Sequence, residues 1–195
     1  LTTSSAASDV YKRQGLLVER FGGPSVKPYQ PEGLWKEVAM LQSNTRNYEQ
    51  GYGDDLYRRS VYTYWKRASP PPSMLALDAP TREYCSTRRL TTNTPLQALV
   101  LWNDPQFVEA AKLLAATVIE RETTDEARFD LLFRITTAAP PSDAIRETLR
   151  DTIVRYRSRY ENAPEDAASL IAVGETMPPE GLDPAELAAW TMLAN

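Results

Sequence analysis

The sequence predicts a mainly α fold: an irregular helical domain of about six to seven amphipathic helices with a long Pro-rich irregular segment. Three observations lead there. Downstream of Thr92, apolar residues recur at intervals of three and four, the period of a helix with one face buried. A capping residue followed at once by proline recurs at Thr94-Pro95, Asp104-Pro105 and Asp183-Pro184, which is helix-start chemistry. Upstream, prolines break the pattern, and the chain's fifteen prolines against eight glycines favour stiff connections.

Residues 1–14, LTTSSAASDVYKRQ, match nothing that follows and resemble a translated sequencing adapter. They are expected to be an artefact or a disordered tail. Residues 15–195 are then expected to be a fragment of a single helical domain, truncated at both ends.

Gly22-Gly23-Pro24 and Pro28-Tyr29-Gln30-Pro31 predict turns and extended chain. A helix is expected after Pro31, with Leu34, Val38 and Leu41 on one face. Asp54 or Asp55 is expected to cap a helix over LYRRSVYTYWKR, although VYTYW also suits a strand. Pro70-Pro71-Pro72 ends that element, and the chain that follows reads as mostly irregular. Thr94 caps a helix opened by Pro95, with Leu96, Leu99 and Val100 on one side and Asn103 suited to a left-handed closing residue. Pro105 opens the next helix, striped by Phe107, Ala111, Leu114 and Val118. A third helix runs from Asp125 and buries Phe129, Leu132 and Phe133. Ser142 caps a long helix striped by Ile145, Leu149, Ile153, Tyr156 and Tyr160, with its arginines mostly off the stripe. A short helix follows Pro164, and Leu187, Trp190 and Leu193 mark the last.

The composition excludes whole classes of chemistry from this chain. It has no histidine, so Ser-His-Asp catalysis, HExxH zinc sites and His-ligated haem are out. Its one cysteine, Cys85, can form no internal disulfide. No stretch approaches the roughly 20 apolar residues of a membrane span. Net charge is −4, but residues 55–91 carry +4 and residues 92–195 carry −8. An acidic chain of this kind is not expected to bind nucleic acid, whereas its basic middle suits an anion or its own acidic half.

That middle supplies the candidate site. Arg58, Arg59, Lys66, Arg67, Arg82, Arg88 and Arg89 stand in irregular chain before the helix start at Thr94-Pro95. Arginine forks and helix N-terminal N–H groups both favour oxyanions. Asp78, Glu83 and Asp104 offer the competing reading, an internal network. Tyr57, Tyr62, Tyr64, Trp65 and Tyr84 lie in or beside the segment, as core or as stacking surfaces for a sugar. Asp78 and Asp104 are the acids nominated for a glycosidase pair, and Asp104 is equally a helix cap.

GGPSVKPYQPEGLW, LYRRSVYTYWKR, PPPSMLALDAPTREYC and TNTPLQALVLWNDPQFVEAAKLLA together resemble the DUF1553, or PSD1, domain. The resemblance covers most of Phe21 to Ala115 and, more loosely, the helical tail. Leu77 stands where Phe is expected, and Leu90-Thr91 where a charged pair is expected. The resemblance implies the C-terminal region of a large planctomycete-type protein, behind a cytochrome c-like and a DUF1549 domain. It implies a periplasmic or cell-surface parent, and haem in an upstream domain with no cofactor in this chain. It supplies no catalytic residues, so the motif residues are the candidates: Arg58, Arg59, Lys66, Arg67, Asp78, Arg82, Arg88, Arg89, Asn93, Gln97 and Asp104, with Cys85 and Asn103 in the same motifs. The expected function is an interaction or ligand-binding module whose partners are the parent's upstream domains and an anionic or carbohydrate ligand. The alternative is an enzyme acting on acidic or sulfated glycans through an Arg/Asp-rich cleft.

Overall fold

In the computed structural model, which describes residues 12, 15–85, 87–88 and 91–195, eight helices can be bounded among the described residues. The fold is mainly α, and six of the eight helices have seven or more residues. They are α1 (Leu34–Val38), α2 (Pro72–Ala76), α3 (Pro95–Asn103), α4 (Pro105–Arg121), α5 (Asp125–Thr137), α6 (Asp143–Asn162), α7 (Pro164–Ile171) and α8 (Pro184–Ala194). The adapter reading of residues 1–14 falls almost wholly outside the described residues. The chain divides into two units, Leu1–Asp104 and Pro105–Asn195.

The first unit is built by extended chain as much as by helix. LYRRSVYTYWKR does not form the expected helix. It makes two 3-10 turns, Gly53–Tyr57 and Ser60–Tyr62, with extended residues between and after. The β-branched and aromatic content of this segment wins over its capping aspartates. It runs parallel to the N-terminal chain through isolated bridges, Val18 with Arg58 and Val26 with Thr63. Val26 N–H donates to the Tyr62 carbonyl, and Tyr64 N–H donates to the Val26 carbonyl. The core centres on Trp35, with Val26, Leu56, Tyr57 and Ala79 also buried. Trp35 meets Tyr48 edge-on at 4.8 Å and Tyr64 at 5.4 Å. Val38 and Leu41, expected on a buried face, are exposed. α1 is too short to carry that stripe, and Trp35 alone fills the role. The third proline of the run does more than end an element, since Pro72 opens α2.

The second unit is a helical bundle around α8. That helix packs against α4, α6 and α7, while α5 bridges α4 and α6. Leu187, Ala188, Ala189, Trp190 and Thr191 are all buried. A helix covered on every side needs small residues for its neighbours to approach, and the two alanines supply them. Trp190 lies 5.4 Å from the Phe129 ring. Leu114, Val118, Ile153, Tyr160 and Ala167 complete the core. The proposed caps form: Thr94, Ser142 and Asp183 each accept a backbone N–H from the first turn of their helix. Asn103 does not close α3 in a left-handed conformation. It is the last helical residue, its side-chain amide donates to the Leu99 carbonyl, and Asp104 follows in extended geometry.

Candidate functional site

The basic segment is organised around the Asp78 carboxylate. The Thr92 N–H donates to its Oδ2 at 2.7 Å, and the Thr92 hydroxyl donates to its Oδ1 at 2.8 Å. The Gln97 amide donates to the same Oδ2 at 3.1 Å and to the Thr92 hydroxyl at 3.0 Å. The other end of that amide, Oε1, accepts the Thr94 N–H, while Thr94 Oγ1 accepts the Gln97 N–H. Buried Gln97 therefore closes a capping box at the start of α3 and bolts that start to Asp78. Asp78 itself holds φ at +60°, a left-handed geometry that Asp tolerates better than most residues. The Thr92 N–H, then the Thr92 hydroxyl, hold the Asp78 carboxyl below its usual range.

The other predicted residues take separate partners. Arg58 is 3% exposed, its Nη2 donates to the carbonyls of Arg20 and Gly22, and its guanidinium lies 4.0 Å from the Tyr62 ring centroid. Arg59 pairs with Glu19 at the surface. Lys66 donates to the Thr45 carbonyl and lies 4.7 Å over the Trp35 ring, with Lys27 also over that ring at 5.6 Å. Arg67 forks onto Glu83 at 3.0 and 2.8 Å. Arg82, also left-handed at φ +63°, stacks 4.5 Å over Trp65. Arg88 and Asn93 are exposed, and Arg89 lies outside the described residues. Asp104 is half-buried at the far end of α3, roughly 10 Å along the helix axis from Gln97 at 1.5 Å per residue. The structure thus brings Asp78 and Gln97 together, and gives the cations separate seats on carbonyls, carboxylates and rings.

Burial pushes the Tyr48 phenol well above its ordinary value, and its hydroxyl donates to the Pro28 carbonyl. Among the described residues, no three His, Cys, Asp or Glu side chains gather to hold a metal ion. No helix among them is long and apolar enough to cross a membrane.

Two polar clusters in the second unit escape the sequence reading. Lys112, 1% exposed, donates its three ammonium hydrogens to the carbonyls of Ile171, Val173 and Thr176 at 3.0, 2.7 and 2.7 Å. Buried Glu109 accepts the Thr176 N–H and hydroxyl. Desolvation pulls the Lys112 ammonium below its ordinary value, against the opposing charge of Glu109. The second cluster joins Arg157 to Asp125 by two hydrogen bonds and to Glu186 by two more. Arg128 and the Trp190 indole also donate to Glu186. The available signal was Lys112 itself, a charge one residue from Ala111 in the stripe that α4 buries.

No curated protein matches the chain, and no solved structure does. A family model described as PSD1, protein of unknown function (DUF1553), matches residues 4–153. That span ends inside α6, whose buried stripe runs on through Tyr160, so the end of the match is no structural boundary. It nevertheless takes in the whole Asp78 clamp and the helix it secures, and with most of the sequence matched, the chain belongs to the PSD1 (DUF1553) family.

Proposed function

We propose that the chain is a non-catalytic interaction and ligand-binding module of a larger, exported multi-domain protein, with that protein's upstream domains as its macromolecular partner. One observation carries this reading. α3 is secured on its Gln97 side, while Leu96 and Leu99 on another side are 59% and 57% exposed. Leucines this exposed on a firmly held helix suit a protein surface more than solvent. Tyr84 and Arg88, upstream in the chain, are exposed as well, which favours an anionic or carbohydrate ligand on the same unit.

The glycan-hydrolysing alternative needs Asp78 as an acid or nucleophile. Both Asp78 oxygens already accept hydrogen bonds from Thr92, and one from Gln97 as well, which supports a positioning clamp instead. The test is sedimentation of the chain mixed with the upstream segment of the same protein. Complex formation by wild type, and its loss in an L96D/L99D variant with unchanged helical circular dichroism, supports the reading. Equal binding by both removes α3 as the docking element.

A further inference from the structure

Among the described residues, Arg58 is the most deeply buried cation of the first unit, and no carboxylate of theirs pairs with it. Its Nη2 reaches two carbonyls, but its Nε and Nη1 are buried with no acceptor. A guanidinium drawn out of water and only half satisfied costs free energy that carbonyl dipoles do not return, whereas an oxyanion would supply both charge and acceptors. What covers it is thin. Residues 20–25 are all exposed, and Gly22 and Gly23 sit at φ +74° and +88°. The cover is fastened to its seat by the two Arg58 bonds and by the Gly22 N–H, which donates to the Tyr62 hydroxyl at 2.9 Å. Tyr62 therefore serves twice, stacking on the guanidinium and latching the strap above it.

We propose that Arg58 is the seat of an oxyanion, of the kind carried by a sulfate ester or a sugar carboxylate, and that residues 20–25 are the strap that lifts to admit it. This rests on the ligand-binding half of the function proposed above and adds the residue and the ligand chemistry. On binding, Nε and Nη1 gain acceptors, and the anion replaces the two carbonyls at Nη2.

The test is a nitrogen–proton spectrum of the full chain that follows the Arg58 Nε–H and the Gly22 amide. Sodium sulfate is titrated against sodium chloride at equal ionic strength, and sodium glucuronate in a parallel arm. A saturating shift of Arg58 Nε–H, with faster exchange of the Gly22 amide, in sulfate or glucuronate but not chloride, supports the proposal. The arm that saturates tells sulfate from carboxylate. Tyr62→Phe keeps the stacking ring but removes the latch, so it should lower the midpoint concentration about fivefold, the effect of one lost hydrogen bond on the opening equilibrium. An Arg58 Nε–H that stays still in both proteins, or moves equally in chloride, overturns the seat. The L96D/L99D binding result is independent of this outcome, so failure of the seat and failure of the docking helix are separable.

Discussion

At the residue scale, a few side chains hold conformations that their surroundings force on them. Gly174 has φ +87°, and a Cβ built there would lie 2.3 Å from Glu109 Cδ. Gly174→Ala must therefore displace a buried carboxylate, and urea denaturation should show a loss of about 2–3 kcal/mol. Ala138 closes α5 at φ +61°, where glycine is at ease. Ala138→Gly should stabilise by about 1 kcal/mol in the same assay. Asp78 gives a pH signature. Its carboxyl titrates lower in the folded chain than in an unfolded one, so the folded state binds fewer protons. The clamp is complete above the unfolded value of about 4 and is lost as the pH falls through the lower folded one. The Thr92 amide shift should follow that titration in wild type and be flat in Asp78→Asn. Sequence alone nominated Asp78 and Gln97, but it could not say that one amide would close a capping box and grip a carboxylate together. The T-P-L-Q spacing signals the box; the grip joins residues 19 apart and has no local signature.

At the element scale, helices with a cap, a proline and a long stripe were legible, because each signal is local and periodic. α4, α6 and α8 begin where the cap–proline or Ser142 rule puts them. LYRRSVYTYWKR was not legible as one element, since its pairing with residues 18–26 depends on chain about 40 residues away. The arginines of α6 lie mostly off its apolar stripe in the sequence, a position that suits solvent, yet Arg146, Arg150 and Arg157 reach carboxylates of α5, and Arg157 also reaches α8. Hydrogen bonds from Arg157 hold Asp125 below the ordinary carboxylate range. Burial pushes Glu186 up, but its bonds from Arg157 and Trp190 outweigh that and hold it low as well. Both groups bind protons less readily folded than unfolded, so the network stabilises above about pH 4 and is lost as acid protonates them. Arg157→Met should cost about 2 kcal/mol at neutral pH, less than a fully buried pair because the guanidinium is partly exposed, and the cost should vanish in acid.

At the scale of the whole molecule, the hydrophobic cluster packed around α8 gathers, among the described residues, side chains from Leu114 to Ala194, all within the second unit. Residues 105–195 expressed alone should therefore unfold in one cooperative transition and keep most of the helical circular dichroism of the full chain, since five of the eight helices lie there. A gradual, non-cooperative melt would show that this core needs the rest of the chain. Sequence periodicity could place each stripe but not the hub. α8 is nearly apolar all round, so its pattern alone does not say which side meets which neighbour. The ammonium of Lys112 has a practical outcome at this scale. The chain has five lysines, and this one is only 1% exposed while its three protons are occupied. Amine-reactive reagents should tag exposed Lys12 and Lys36 first and reach Lys112 only in molecules whose bundle has come apart, so its acylation rate, read by peptide mass, becomes a clock for opening of the second unit.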